Sequence, residues 1–196
     1  MLAILLRLFA LKDQFRTGWT LRAVTDPESV ADHSWGTALL CMSYATTAGV
    51  DSQAALEIAL VHDAAEAITG DVPTRVATMN DPVRHREKLR LEREAMDELL
   101  EGAPDTFREQ IERRWSEYEE RVTPEAVFVR DMNLIDMCMQ ALLYERDGRV
   151  KAPAGIGEET PYRGLEEFFA TTRPRLSTQI GRDLFAEISA EYARLP

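Results

Sequence analysis

The chain has 196 residues and a net charge of −11, from 34 acidic against 23 basic side chains, and 45% of it is hydrophobic. That is enough chain to bury one core, so a single domain over residues 1–196 is the default. The acidic balance excludes a general binder of nucleic-acid polymers, which needs a basic stripe, and no apolar run of about 18 residues is present to cross a membrane.

An acidic protein can still hold one phosphate group through a local arginine or a metal ion, so a small ligand is expected. Only 10 Gly and 9 Pro interrupt a chain rich in Ala, Leu, Glu and Arg, which favours an all-α fold. Leu2, Leu5, Leu6 and Phe9 fall on one helical face and predict a docking helix over 2–15. Arg7, the following Lys12 and Asp13, and the lack of a small-residue cleavage pattern argue against a signal peptide. A turn at Arg16-Thr17-Gly18 and a loop through Thr25-Asp26-Pro27-Glu28 precede a helix from near Ser29 that Gly49 ends. Asp51-Ser52 then caps a helix predicted to run unbroken over 53–68, and Thr69–Pro73 breaks it.

A charged amphipathic helix is predicted over 81–100, its Arg, Glu and Lys forming a solvated, ion-paired face. Further helices are predicted over 104–118 and from Thr123-Pro124-Glu125 to Tyr144, with Pro at the first helical position. The Gly- and Pro-rich 147–161 stretch reads as loop, and the last helical stretch, 164–195, is interrupted at Pro174. Cys41 and Cys138 each sit in an apolar stretch and read as buried thiols of a reducing, cytoplasmic compartment.

Two of the three histidines carry the chemical signal. His33 stands in Asp32-His33-Ser34, and His62 is followed by Asp63-Ala64-Ala65-Glu66. Imidazole and carboxylate from two helices can converge on one divalent cation, and this donor mix suits Mn, Fe, Co, Zn or Mg rather than a thiolate-loving metal. His62, Asp63 and Glu66 end an apolar helix, where unpaired charge is expensive to bury, so partners are expected. On a continuous helix Glu66 shares the face of His62 and is placed to orient or deprotonate a water beside the metal. His85 lies among Arg84, Arg86, Glu87 and Lys88 and reads as a surface residue.

At these residues the sequence resembles the HD-domain phosphohydrolases, and within them the 5′-deoxynucleotidase branch. The resemblance runs in order through Arg16–Trp19, Pro27–His33, Leu60–Glu66, Thr69–Asp71, Trp115–Glu119 and Gln140–Glu145. It implies an all-α HD-domain bundle, one divalent metal ion (Mn, Co, Mg, Fe or Zn), a small nucleotide substrate and a homodimer, with Trp19, Trp35 and Trp115 as candidate interface anchors. It also implies that His33, His62 and Asp63 bind the metal, that Glu66 positions the attacking water, and that Trp19 packs near the nucleotide. Asp71 falls near the 3′ side of the sugar, linked to preference for deoxyribose, and Arg16 is a candidate phosphate contact. Trp19 also reads as a core or interface anchor, and Asp71 as a turn residue. The branch has an arginine directly before the Trp, where this chain has Gly18.

The remaining metal ligand of the resembling family is an Asp on a late helix, in a pattern like Lys-Gln-x-Asp. Here Arg130-Asp131-Met132-Asn133 puts Asn133 at that position. Asp131 should point away, because two residues turn a helix by about 200°; Asp136 shares the face of Asn133 one turn on. The Asn133 amide oxygen is expected to ligate weakly or through water. The implied activity is release of phosphate from deoxyribonucleoside 5′-monophosphates. Nucleoside triphosphates or guanosine polyphosphates are the alternative substrates, disfavoured because no Lys/Arg cluster stands near the motifs. A non-catalytic nucleotide- or metal-sensing protein is the alternative class.

Overall fold

The computed structural model describes residues 1–76, 78–150, 162 and 164–195. Helix α1 (Leu2–Phe9) ends in a 3₁₀ turn at Ala10–Lys12, earlier than the expected 2–15. The backbone beyond it is claimed by another partner. Val30 N donates to Gln14 O and Arg16 N to Glu28 O, so Phe15 and Ser29 form an antiparallel bridge instead of a further helical turn. The short α2 (Thr17–Thr20) follows.

Ser29 starts α3 (Val30–Ala48) with a reciprocal cap: its Oγ accepts from Asp32 N, and Asp32 Oδ2 accepts from Ser29 N. Gly49 ends α3 in the left-handed conformation at φ 73°. Asp51 caps α4 (Ser52–Val61), and here the expected unbroken helix over 53–68 fails. His62 Nδ1 occupies the Ala59 carbonyl that the Asp63 N–H would use in a continuing helix. The chain tightens into Ala64 N→Val61 O and Glu66 N→Asp63 O turns before α5 (Glu66–Thr69).

Asp81 and Pro82 open α6 (Pro82–Leu99), and α7 (Asp105–Glu120) follows. Thr123 caps α8 (Pro124–Arg146), whose buried residues surround its axis, as expected of a helix enclosed by others. Of the loop expected over 147–161, residues 151–161 lie outside the described residues. The last stretch divides where Pro174 stands: α9 (Glu166–Thr172), a 3₁₀ turn at Arg173–Arg175, and α10 (Gln179–Tyr192). Among the described residues there is no strand beyond isolated bridges, so the fold is all-α.

Helices α3, α4 and α10 pack on α8 around Cys41, Ile58, Phe128, Ile135 and Phe185. A second apolar cluster joins α1, α6 and α7 through Ile4, Met96, Leu99 and Trp115, and a third closes Trp19 against Tyr144 and Leu165. Cys41 and Cys138 are buried free thiols. The start of α3, the end of α4 and the middle of α8 therefore meet around polar side chains.

Candidate active site

His33 projects from the first turn of α3 with its ring fully buried. Its Nδ1 lies 2.6 Å from Asp136 Oδ2 on α8, and His62 Nδ1 lies 2.8 Å from the Ala59 carbonyl. A carbonyl can only accept, so His62 Nδ1 carries the proton, and the same tautomer of His33 suits an ionised Asp136. This leaves both Nε2 lone pairs facing one another at 3.4 Å. Asp63 Oδ2 stands 3.3 Å from His62 Nε2 and 3.7 Å from His33 Nε2. With metal–ligand bonds of about 2.1 Å, these separations subtend roughly 105–125° at one ion.

The donor set fits a divalent cation, as the sequence led one to expect. Burial and the Arg16 charge push the His33 pKa down to about 3, so its ring is neutral. Burial works to raise the Asp63 carboxyl, and the positive charge of Arg16, 3.0 Å away, works to lower it. A second trio, Glu28, His33 and Asp136, uses the Nδ1 side of the same ring. Burial pushes both carboxyls up to about 7 there, and Trp19 Nε1 donates to Glu28 at 2.8 Å. Of these two carboxylates Asp136 contacts the His33 ring, at Nδ1, in the manner of the outer carboxylates that fix metal-binding histidines.

Glu66 is buried and its Oε2 has no hydrogen-bond partner. Burial and Asp63 push its carboxyl well above the ordinary range. Its oxygens fall outside the three-residue donor cluster, so it faces the site without completing it. Arg16 binds these acids together, with Nη1 at 3.0 Å from Asp63, 3.2 Å from Asp71 and 4.0 Å from Glu66. Burial opposes the Arg16 charge, but Asp71, Asp63 and Glu66 outweigh it. Asp71 Oδ2 also accepts from Thr17 N at 2.6 Å, which ties the loop after α5 to α2.

Arg16, Trp19, Glu66, Asp71 and Asn133 line one pocket, a narrow cavity of about 70 Å³. Trp19 is only 1% exposed, stacked on Phe168 at 3.9 Å, so it is a core residue that also forms pocket wall. Gly18 packs on that Phe168 ring, and a Cβ there would lie 3.3 Å from it, so the ring would have to shift by a few tenths of an ångström. Asn133 donates from Nδ2 to the Tyr118 hydroxyl at 3.0 Å, leaving Oδ1 as its acceptor for the pocket. Asp131 points away as predicted and accepts from Ser177 N and from Thr178 N and Oγ1. His85 is exposed on α6.

One expectation is overturned. The sequence showed no Lys/Arg cluster near the motifs, yet Lys88, Arg130 and Arg175 join Arg16 in the pocket lining. They come from α6, α8 and the turn after α9, far apart in the chain, so linear spacing could not reveal them. Arg130 did carry a signal, standing one helical turn before Asn133. Lys88 was hidden among the other charges of α6, which do make the expected surface pairs, such as Arg90 with Glu87 and Glu94.

The HD domain family matches residues 9–174 of the chain. A 5′-deoxynucleotidase of Danio rerio is 32% identical over 179 residues, covering 91% of this chain and 81% of the relative. One of Schizosaccharomyces pombe is 37% identical over 140 residues, 69% and 68% of the two chains. A crystal structure of a Pyrococcus horikoshii protein superposes with a TM-score of 0.70 at 28% identity, covering 98% of this chain and 99% of the other. The order of motifs, the all-α fold and these matches agree: the chain belongs to the HD domain family and is similar over most of its length to 5′-deoxynucleotidases.

Proposed function

We propose that this protein is a metal-dependent phosphohydrolase that releases phosphate from deoxyribonucleoside 5′-monophosphates. The carrying observation is the convergence of His33 Nε2, His62 Nε2 and Asp63 Oδ2 beside Glu66, whose Oε2 makes no hydrogen bond. His33, His62 and Asp63 would hold one divalent ion, with Asn133 Oδ1 as a neutral fourth donor. Such an ion supplies Lewis acidity, polarising a phosphoryl oxygen and lowering the pKa of a water.

The chain's own groups do the remainder. Glu66 has an oxygen that makes no hydrogen bond and a raised proton affinity, which suits it to orient the attacking water and take its proton. Water adds at phosphorus, the P–O5′ bond breaks, and the sugar oxygen takes up a proton. Arg16 holds Asp63 and Asp71 in place and faces the phosphate, and Asp71 presents its carboxylate to the 3′ side of the sugar. Trp19 and Phe168 wall the base or sugar. The cationic lining removes the objection to longer phosphates, so nucleoside triphosphates belong in the test.

Residues 1–196 are read as one domain, because Phe185 and Ile188 of α10 share an apolar cluster with α3, α4 and α8. The two buried free thiols fit the cytoplasm, and no helix among the described residues is long and apolar enough to cross a membrane. A homodimer fits the apolar face of α1 and α3, which leaves Phe9 61% and Trp35 69% exposed. Trp19 and Trp115 are core residues, not the interface anchors expected, because each packs into an apolar cluster of its own chain.

The test is metal analysis followed by phosphate release from dAMP, AMP and dATP with Mn, Co, Mg or Zn. Release from dAMP in preference to AMP is expected, and Glu66→Gln should lower it about 10²–10⁴-fold at unchanged metal content. No release from any nucleotide with any metal overturns the reading.

A further inference from the structure

Arg175 ends the 3₁₀ turn that follows α9, one residue beyond the region matched by the HD domain family. Its Nε donates to the Thr171 carbonyl at 2.6 Å, but its Nη2 is buried and has no hydrogen-bond partner. A guanidinium has five donors and no acceptor, so a buried Nη2 can be satisfied only by an acceptor that comes to it. Its side chain lines the candidate active-site pocket together with Arg130.

The surrounding charges sharpen the point. Burial and the nearby Arg130 push the Arg175 pKa down to about 10, so it keeps its charge at neutral pH. Arg130 donates to the Tyr118 hydroxyl at 3.1 Å, and Tyr118 in turn holds Asn133. Among the described residues neither arginine has a carboxylate at ion-pair distance. The acids of the pocket, Asp63, Asp71 and Glu66, all lie within 4.0 Å of Arg16, and Lys88 is paired with Glu92 at 3.2 Å. Two neighbouring half-buried guanidiniums without a counter-anion repel each other until an anion sits between them.

We infer that Arg175, with Arg130 beside it, seats a phosphate group in this pocket. The inference rests on the phosphohydrolase reading and deepens it by naming a phosphate contact that the family match does not reach. The ligand chemistry is a tetrahedral oxyanion, whose oxygens match the planar guanidinium fork. It can be the 5′-phosphate of the substrate or the inorganic phosphate released from it.

Calorimetric titration of the metal-free protein with inorganic phosphate, dAMP and deoxyadenosine tests this without any turnover. Arg175→Gln should weaken dAMP binding about 10–100-fold, the loss of a charge-assisted hydrogen bond, and leave deoxyadenosine unchanged. Arg175→Lys should recover part of the affinity, because it restores the charge but not the fork; it also serves as the folded comparison if Arg175→Gln fails to fold. Parallel loss of inorganic phosphate binding makes the site common to substrate and product, and loss for dAMP alone assigns it to the nucleotide. Equal dAMP and phosphate affinity in wild type and variants overturns the inference, as does an equal fall for deoxyadenosine, which would mark a packing role. Arg175-dependent phosphate binding in a protein that hydrolyses no nucleotide would overturn the phosphohydrolase reading alone.

Discussion

At Asn133 the choice between an amide and a carboxylate decides how well the pocket balances a +2 ion. Both histidines are neutral as ligands, so Asp63 is the one anionic donor of the proposed set. Asn133→Asp adds a second with little change of shape, and the Tyr118 hydroxyl that now accepts from Nδ2 can donate to the new oxygen. Metal titration at matched pH and ionic strength should show affinity rising on the order of tenfold or more, since charge counts for more in a buried site than in water. Unchanged or weaker affinity would mean that position 133 does not face the ion. A His-Asp dipeptide alone is a weak signal; His33, His62 and Asp63 were legible as a group because separated motifs around them follow the order of the resembling family. The role of Asp136 was not, since only the packing of α3 on α8 brings it to His33 Nδ1.

Helix contact, rather than helix propensity, sets the spacing of the donors. Gly36 on α3 lets α8 approach so closely that a Cβ there would lie 2.0 Å from Asp136 Oδ1. Gly36→Ala should therefore displace Asp136 and release the His33 ring, although Ala is the better helix former. Metal affinity should fall about 10–100-fold, the usual cost of losing an outer-shell partner, while the helical circular dichroism signal persists. Metal binding equal to wild type in that variant would remove Asp136 from the support of the site. Helix starts at Ser29, Asp51, Asp81 and Thr123 were readable because each offers an oxygen to the free N–H groups of the first turn. The break between α4 and α5 was not. It depends on a ring nitrogen competing for the Ala59 carbonyl, which apolar periodicity does not encode.

Over the whole molecule, a chain of net charge −11 surrounds a pocket that gathers Arg16, Lys88, Arg130 and Arg175. Bulk charge therefore bears on polymers such as nucleic acid, while the local cations govern a ligand small enough to enter. The outer surface makes a separate prediction. Leu5, Phe9, Trp35 and Leu60 line one apolar groove across α1, α3 and α4, and exposed apolar surface of this kind marks an association site. A second copy laid there needs about 800 Å² per partner for a stable contact. Light scattering should give the mass of two chains for the wild type and of one chain for Trp35→Asp. A monomeric wild type would discard the dimer reading.

The sequence by itself determined the all-α fold and most helix boundaries, and it singled out His33, His62, Asp63 and Glu66 as the candidate set. Those follow from local forces: caps, apolar periodicity, and a few residue types whose burial demands partners. Only the tertiary structure decided that Asp136 orients His33, that Tyr118 holds Asn133, and that Arg130 and Arg175 share a wall of the pocket. These residues lie on different elements, and a charge declares itself unpaired only once every neighbour in space is known.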